Sequence, residues 1–137
     1  MTARLRAAGF AVVTVAAGLG ARALLPPLAA KYVGVALYGT MMVALVVVAA
    51  PRAGVAKAAA WALGLCWAVE LAQLTPGPAW LSAQHALLRL AFGTTFSGWD
   101  LAAYVPGVAL GAAVWRRAPR GLAAAGARDA QQPHDRP

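Results

Sequence analysis

The sequence predicts an all-α membrane protein with about four transmembrane helices and a short re-entrant or interfacial helix between the third and fourth. Three observations predict it. Apolar residues make up 61% of the 137 positions and charged residues only 12%, about half the charged share of a soluble domain. A soluble domain of this length could not hide that much apolar surface, because small domains bury only part of theirs. Lys and Arg also sit mostly singly or in pairs between long apolar runs, and lipid as solvent accounts for that spacing.

Each span is bounded in turn. The first runs over about 7–25, after Arg4 and Arg6, with Arg22 near its far end. Cleavage of this segment as a signal peptide is the alternative reading. It is disfavoured by the length of the apolar run and by Arg22 within the would-be cleavage region. The second covers 32–51, the uncharged stretch between Lys31 and Arg52, which is the ~20 residues a spanning helix needs. The third covers 57–74 and holds Glu70, and Pro76-Gly77-Pro78 then breaks the helix. The fourth covers 99–115, begins at Asp100 and ends against Arg116 and Arg117. The stretch 80–97 is too short and too polar to span, with Gln84, His85 and Arg89 near one helical face. An interfacial or re-entrant helix, followed by a loop from Gly93 to Gly98, fits it. Residues 1–117 form one helical domain, and 118–137 read as a disordered basic tail.

Orientation follows from the basic residues. With the N-terminus inside, Arg4, Arg6, Arg52, Lys57, Arg116, Arg117, Arg120, Arg128 and Arg136 lie on the cytoplasmic side, and Arg22, Lys31 and Arg89 lie outside. Both termini are therefore expected in the cytoplasm. Trp80, Trp99 and Tyr32 fall near the outer interface and Trp115 near the inner one, as an aromatic belt requires. The net charge of +8 is spread as juxtamembrane signals rather than as a basic face with stacking aromatics, which argues against nucleic acid as a partner.

The chemistry available is sparse. Glu70 and Asp100 are the acids of the membrane body, since Asp129 and Asp135 lie in the tail. Glu70 and Gln73 share a face at i, i+3. Asp100, Tyr104, Gly107 and Gly111 share another, and Gly107 with Gly111 forms a small-xxx-small pair that admits a close helix. At the outer ends of their spans, Glu70, Gln73, Asp100 and Tyr104 are expected to meet, with Arg22 or Arg89 supplying a cation. Equally open at this point, Asp100 is a plain first-turn acid, Glu70 is merely wet, and Arg22 snorkels. Cys66 reads as a small buried residue, and His85 as an interfacial polar group with no triad around it. No motif points to a metal, a cofactor or a phosphate loop.

These residues carry a resemblance. Gly18-Leu-Gly-Ala-Arg22, Lys31-Tyr-Val-Gly34, Leu37-Tyr38, Val69-Glu-Leu-Ala-Gln-Leu74, Trp80-Leu81 and Gly93-x-x-Phe96-x-x-x-Asp100-Leu-x-x-Tyr104-x-x-Gly107 occur in order. The pattern, over roughly 8–115, resembles a family of small bacterial inner-membrane proteins that form a domain of unknown function. That family is distantly similar to the VanZ-like proteins, which are linked to teicoplanin resistance. The resemblance implies a site at Arg22, Glu70, Gln73, Asp100 and Tyr104. Two departures stand out: Val35 where the pattern has an acid, and Gln84-His85 where it has Arg-x-Thr.

Function remains a choice among three readings. The first is a non-enzymatic protein of the cell envelope that binds a lipid or cell-wall-precursor head group, or a protein partner, through an outward polar cluster. The second is a small intramembrane enzyme or proton-coupled carrier using Glu70 or Asp100, which lacks a nucleophile or metal set and has little room for a pathway. The third is a subunit of a homo-oligomer or larger membrane complex, in which the cluster only fixes helix register.

Overall fold

Proline and glycine punctuate the chain into helices. In the computed structural model, residues 2–93 and 95–117 are described and form six α-helices with no strand among them. The predicted tail, 118–137, lies outside the described residues. Helix α1 (Ala3–Leu24) is capped by the Thr2 hydroxyl and ends at Leu25, which is extended because a proline follows it. Pro27 then opens α2 (Pro27–Ala49) at its first turn, where a missing N–H costs nothing. Helix α3 (Val55–Ala72) follows the Pro51–Gly54 turn. Two short helices come next, α4 (Pro76–Gln84) and α5 (Ala86–Phe92), and α6 (Gly98–Arg117) closes the chain.

Helices α1, α2 and α3 are long and apolar enough to cross a membrane. Helix α6 has spanning length, at 20 residues, but carries Asp100 and Pro106 and is less apolar. The helices of nine and seven residues, α4 and α5, are too short to cross.

Two of the boundaries that differ from the sequence reading bear on the polar end of the bundle. Helix α2 begins at Pro27 rather than at Tyr32, so Lys31 belongs to its second turn instead of preceding it. The helical stretch between α3 and α6 starts at Pro76 rather than Trp80, and it is split at His85. His85 is extended (φ −157°, ψ 144°) and its Nδ1 accepts the Leu87 N–H, which ends one helix and caps the next.

Helix α2 is central, packing against α1, α3 and α6, while α6 also packs on α3. The α2–α6 crossing is close because both faces are small. A Cβ on Gly107 would lie 2.1 Å from the Ala36 carbonyl oxygen, and one on Gly39 would lie 3.1 Å from that of Tyr104. Gly111 meets Thr40 and Val43 in the same way. Thr40 donates its hydroxyl to the Gly107 carbonyl (2.7 Å) at the crossing, a bond between helices of the kind apolar surroundings favour. Below it, Val43, Ala62 and Val108 join α2, α3 and α6, and Ala7, Val47 and Ala58 join the far ends of α1, α2 and α3 beside Trp115. The Arg6 guanidinium sits 5.5 Å from the Trp115 ring centre, a cation–π contact at this end of the bundle.

Candidate functional site

The polar residues gather at the opposite end, where α1 and α3 finish and α2 and α6 begin. Glu70, in the last turn of α3, is 1% exposed. A carboxyl group so placed needs donors, since an unpaired one costs several kcal/mol, on the order of its lost hydration. It has two. Its Oε1 accepts the Ser97 N–H (2.6 Å) and its Oε2 accepts the Tyr104 hydroxyl (3.2 Å). Tyr104, one turn into α6 from Asp100, is held in turn against Tyr38, with ring centres 6.0 Å apart.

Asp100 is buried in the first turn of α6 and pairs with Lys31 Nζ at 3.2 Å. Lys31 Nζ also donates to the Ser97 hydroxyl (3.1 Å). Ser97 therefore joins two units, donating its N–H to Glu70 and accepting at its hydroxyl oxygen from the lysine that holds Asp100. The expected cation was Arg22 or Arg89. The observed one is Lys31, because the early start of α2 brings that lysine level with the start of α6. Among the described residues neither Arg22 nor Arg89 has a carboxylate partner.

Gln73 faces elsewhere. Its Nε2 donates to the Phe92 carbonyl (2.7 Å), while Tyr38 donates its hydroxyl to Ala91 O (2.8 Å) and Ser82 to Gly93 O (2.6 Å). The last carbonyls of a helix have no partner within it. Here three side chains, from α2, the cap just past α3, and α4, satisfy three consecutive carbonyls at and just past the end of α5. Gly93 is required at this junction: its φ is +64°, and a Cβ there would lie 2.7 Å from Gln73 Nε2. Gln73 Oε1 has no hydrogen-bond partner among the described residues. Cys66 is buried with a free thiol. No group of three or more His, Cys, Asp or Glu able to hold a metal occurs among the described residues.

The structure thus brings Glu70 and Tyr104 into contact, links Asp100 to them through Ser97 and Lys31, turns Gln73 to the α5 end, and leaves Arg22 on α1 without a carboxylate partner among the described residues. The site expected from the sequence does not include Lys31, Tyr38, Ser82 or Ser97. The charge pattern places Lys31 just outside the second span, and hydroxyl residues carry no spacing signal of their own.

A cavity of about 650 Å³ opens beside this network. Its wall includes Arg22 of α1, Lys31 of α2, Glu70 and Gln73 of α3, Arg89 of α5 and Asp100 of α6. It continues along the helices to Thr14, Val15 and Leu19 of α1 and Leu37 and Met41 of α2. Val35, where the resemblance leads one to expect an acid, lines it without adding charge. A second, apolar groove of about 350 Å³ shares Val15, Leu19 and Met41 with the cavity and extends to Val12 and Leu45.

Comparison with known proteins gives a family and no activity. No curated protein and no solved structure matches the chain. One family model matches residues 24–108, from the end of α1 through Glu70, Asp100 and Tyr104 to the α2–α6 crossing, and its description is "Protein of unknown function (DUF2809)". The match covers more than half of the chain, so this protein belongs to the DUF2809 family.

Proposed function

We propose that this is a multi-pass protein of the bacterial inner membrane that binds the head group of an amphipathic lipid or cell-wall precursor in the cavity beside Glu70 and Asp100, without catalysing a reaction. In this reading α6 is the fourth span, α4 and α5 form the interfacial or re-entrant hairpin, and both termini are cytoplasmic. The cavity then faces the outer side.

The observation that carries the reading is the graded lining of the cavity. One end has Arg22, Lys31, Arg89, Glu70 and Asp100; the other has Val15, Leu37 and Met41. From Arg22 to Thr14 is eight residues, roughly 12 Å at 1.5 Å per residue. A pocket charged at one end and apolar over that length suits a molecule built the same way. The internal bonds of Glu70 and Asp100 favour positioning roles for them, with the cations left to meet the ligand. The resemblance to VanZ-like proteins belongs to this proposal and rests on Glu70-x-x-Gln73 and on Asp100, Tyr104 and Gly107.

Thermal unfolding of the purified protein in a neutral detergent tests it. A bacterial lipid extract containing cell-wall lipid precursors should raise the midpoint, since a ligand that binds only the folded state stabilises it. Leu37→Trp, which fills the cavity, should remove that rise. An unchanged midpoint of the wild-type protein across all lipid fractions would sink the proposal.

A further inference from the structure

We infer that the occupant is an anionic phospholipid, its phosphate held by Arg22 and Arg89 and one hydrocarbon chain laid in the groove between α1 and α2. This rests on the cavity reading above and commits that reading to a ligand class.

Charge argues for the anion. Three cations line the cavity, Arg22, Lys31 and Arg89, against two carboxylates, Glu70 and Asp100. Asp100 is matched to Lys31. Glu70 is turned inward, with both oxygens engaged by Ser97 and Tyr104. Two guanidinium groups, of Arg22 on α1 and Arg89 on α5, remain in the cavity lining with no carboxylate among the described residues to meet them. A guanidinium presents paired N–H donors that match two phosphate oxygens, and such charge-assisted bonds are the strong ones. A zwitterionic head would bring its own cation against three others.

The groove argues for the chain. It shares Val15, Leu19 and Met41 with the cavity and runs on to Ala11 and Leu45, so the two form one continuous path. From Leu19 to Ala11 is eight residues, roughly 12 Å and comparable to the ~15 Å hydrocarbon depth of one leaflet. Val12 and Leu45 are exposed at its edge, at 69% and 43%, which leaves the groove open sideways to lipid. Moving a chain from bilayer to groove exchanges one apolar contact for another and gains little. Selectivity therefore falls on the head group.

Native mass spectrometry from a neutral detergent tests this with three probes: phosphatidylglycerol, phosphatidylcholine of the same chains, and inorganic phosphate. The wild-type protein should bind one phosphatidylglycerol about tenfold more tightly than phosphatidylcholine, the factor one charge-assisted hydrogen bond supplies. Arg22→Gln and Arg89→Gln should each bring it down to the phosphatidylcholine level. Val15→Trp, which blocks the groove, should weaken both lipids. Unfolding midpoints without lipid show whether each variant is folded, and among the described residues neither arginine makes an ion pair whose loss would confuse the result. Equal binding of the two lipids to the wild-type protein overturns the anionic assignment and leaves the amphiphile reading standing. Inorganic phosphate displacing the lipid while Val15→Trp has no effect overturns the chain placement. Binding of no lipid at all overturns both.

Discussion

At the scale of single residues, the structure rests on a few positions with no substitute. Gly107 faces the Ala36 carbonyl so closely that a Cβ would lie 2.1 Å from its oxygen. Gly107→Ala must push α2 and α6 apart, and it should destabilise the protein by about 3 kcal/mol, the upper range for overpacking. Gly64→Ala on α3, where a Cβ meets nothing within 4 Å, is the control and should leave stability unchanged or slightly raised, as glycine is the poorer helix former. Melting in detergent compares the two. Around Glu70 the order of effects is also fixed. Tyr104→Phe removes one donor and leaves the Ser97 N–H in place, which should cost about 1 kcal/mol. Glu70→Ala strands both the Ser97 N–H and the Tyr104 hydroxyl beside an empty volume and should cost at least twice that, roughly 2–4 kcal/mol. Equal losses for the two variants would mean that the pairing of Glu70 with both donors is wrong.

At the scale of helices, the weakest attachment is that of α4 and α5. They pack chiefly on each other; Tyr38 and Gln73 tie the end of α5 to the bundle through Ala91 and Phe92, and Ser82 ties α4 to that end through Gly93. Removing these donors one at a time, as Tyr38→Phe, Gln73→Leu and Ser82→Ala, should cost about 1 kcal/mol each. Hydrogen exchange should speed up in residues 86–93 and stay slow in α2 and α6. Protection lost evenly over all helices would contradict the tie. The long helices were legible in the sequence because an uncharged apolar run between cations leaves few alternatives. The short ones were not. The break at His85 depends on a side chain capping the helix that follows it, and the start of α2 depends on Pro27 outweighing the charge of Lys31. The faces of Glu70 and Asp100 could be read from helical spacing. Their partners could not, since spacing fixes direction around one helix but neither the depth of its neighbour nor its rotation. That is why Lys31, rather than Arg22 or Arg89, turned out to meet Asp100.

At the scale of the molecule, the two ends of the bundle are chemically different. One is closed by Ala7, Val47, Ala58 and Trp115 with Arg6 above the ring, and the other holds the buried acids and the cavity. The proposed orientation places the first end in the cytoplasm. Reporter fusions after Arg52 and after Arg117 should then report cytoplasm, and one at Pro76 the outer side. An outer-side signal after Arg117 would refute the four-span arrangement. The central claim is that the cavity and its groove hold an amphiphile, and photo-crosslinking with a phospholipid carrying a diazirine in its chain tests it most directly. Adducts mapped by mass spectrometry should concentrate on residues 12–19 of α1 and 41–45 of α2. Adducts spread evenly around the bundle, with Trp61 of α3 and Leu110 of α6 labelled as heavily as the groove, would show that lipid only surrounds the protein and would contradict the account.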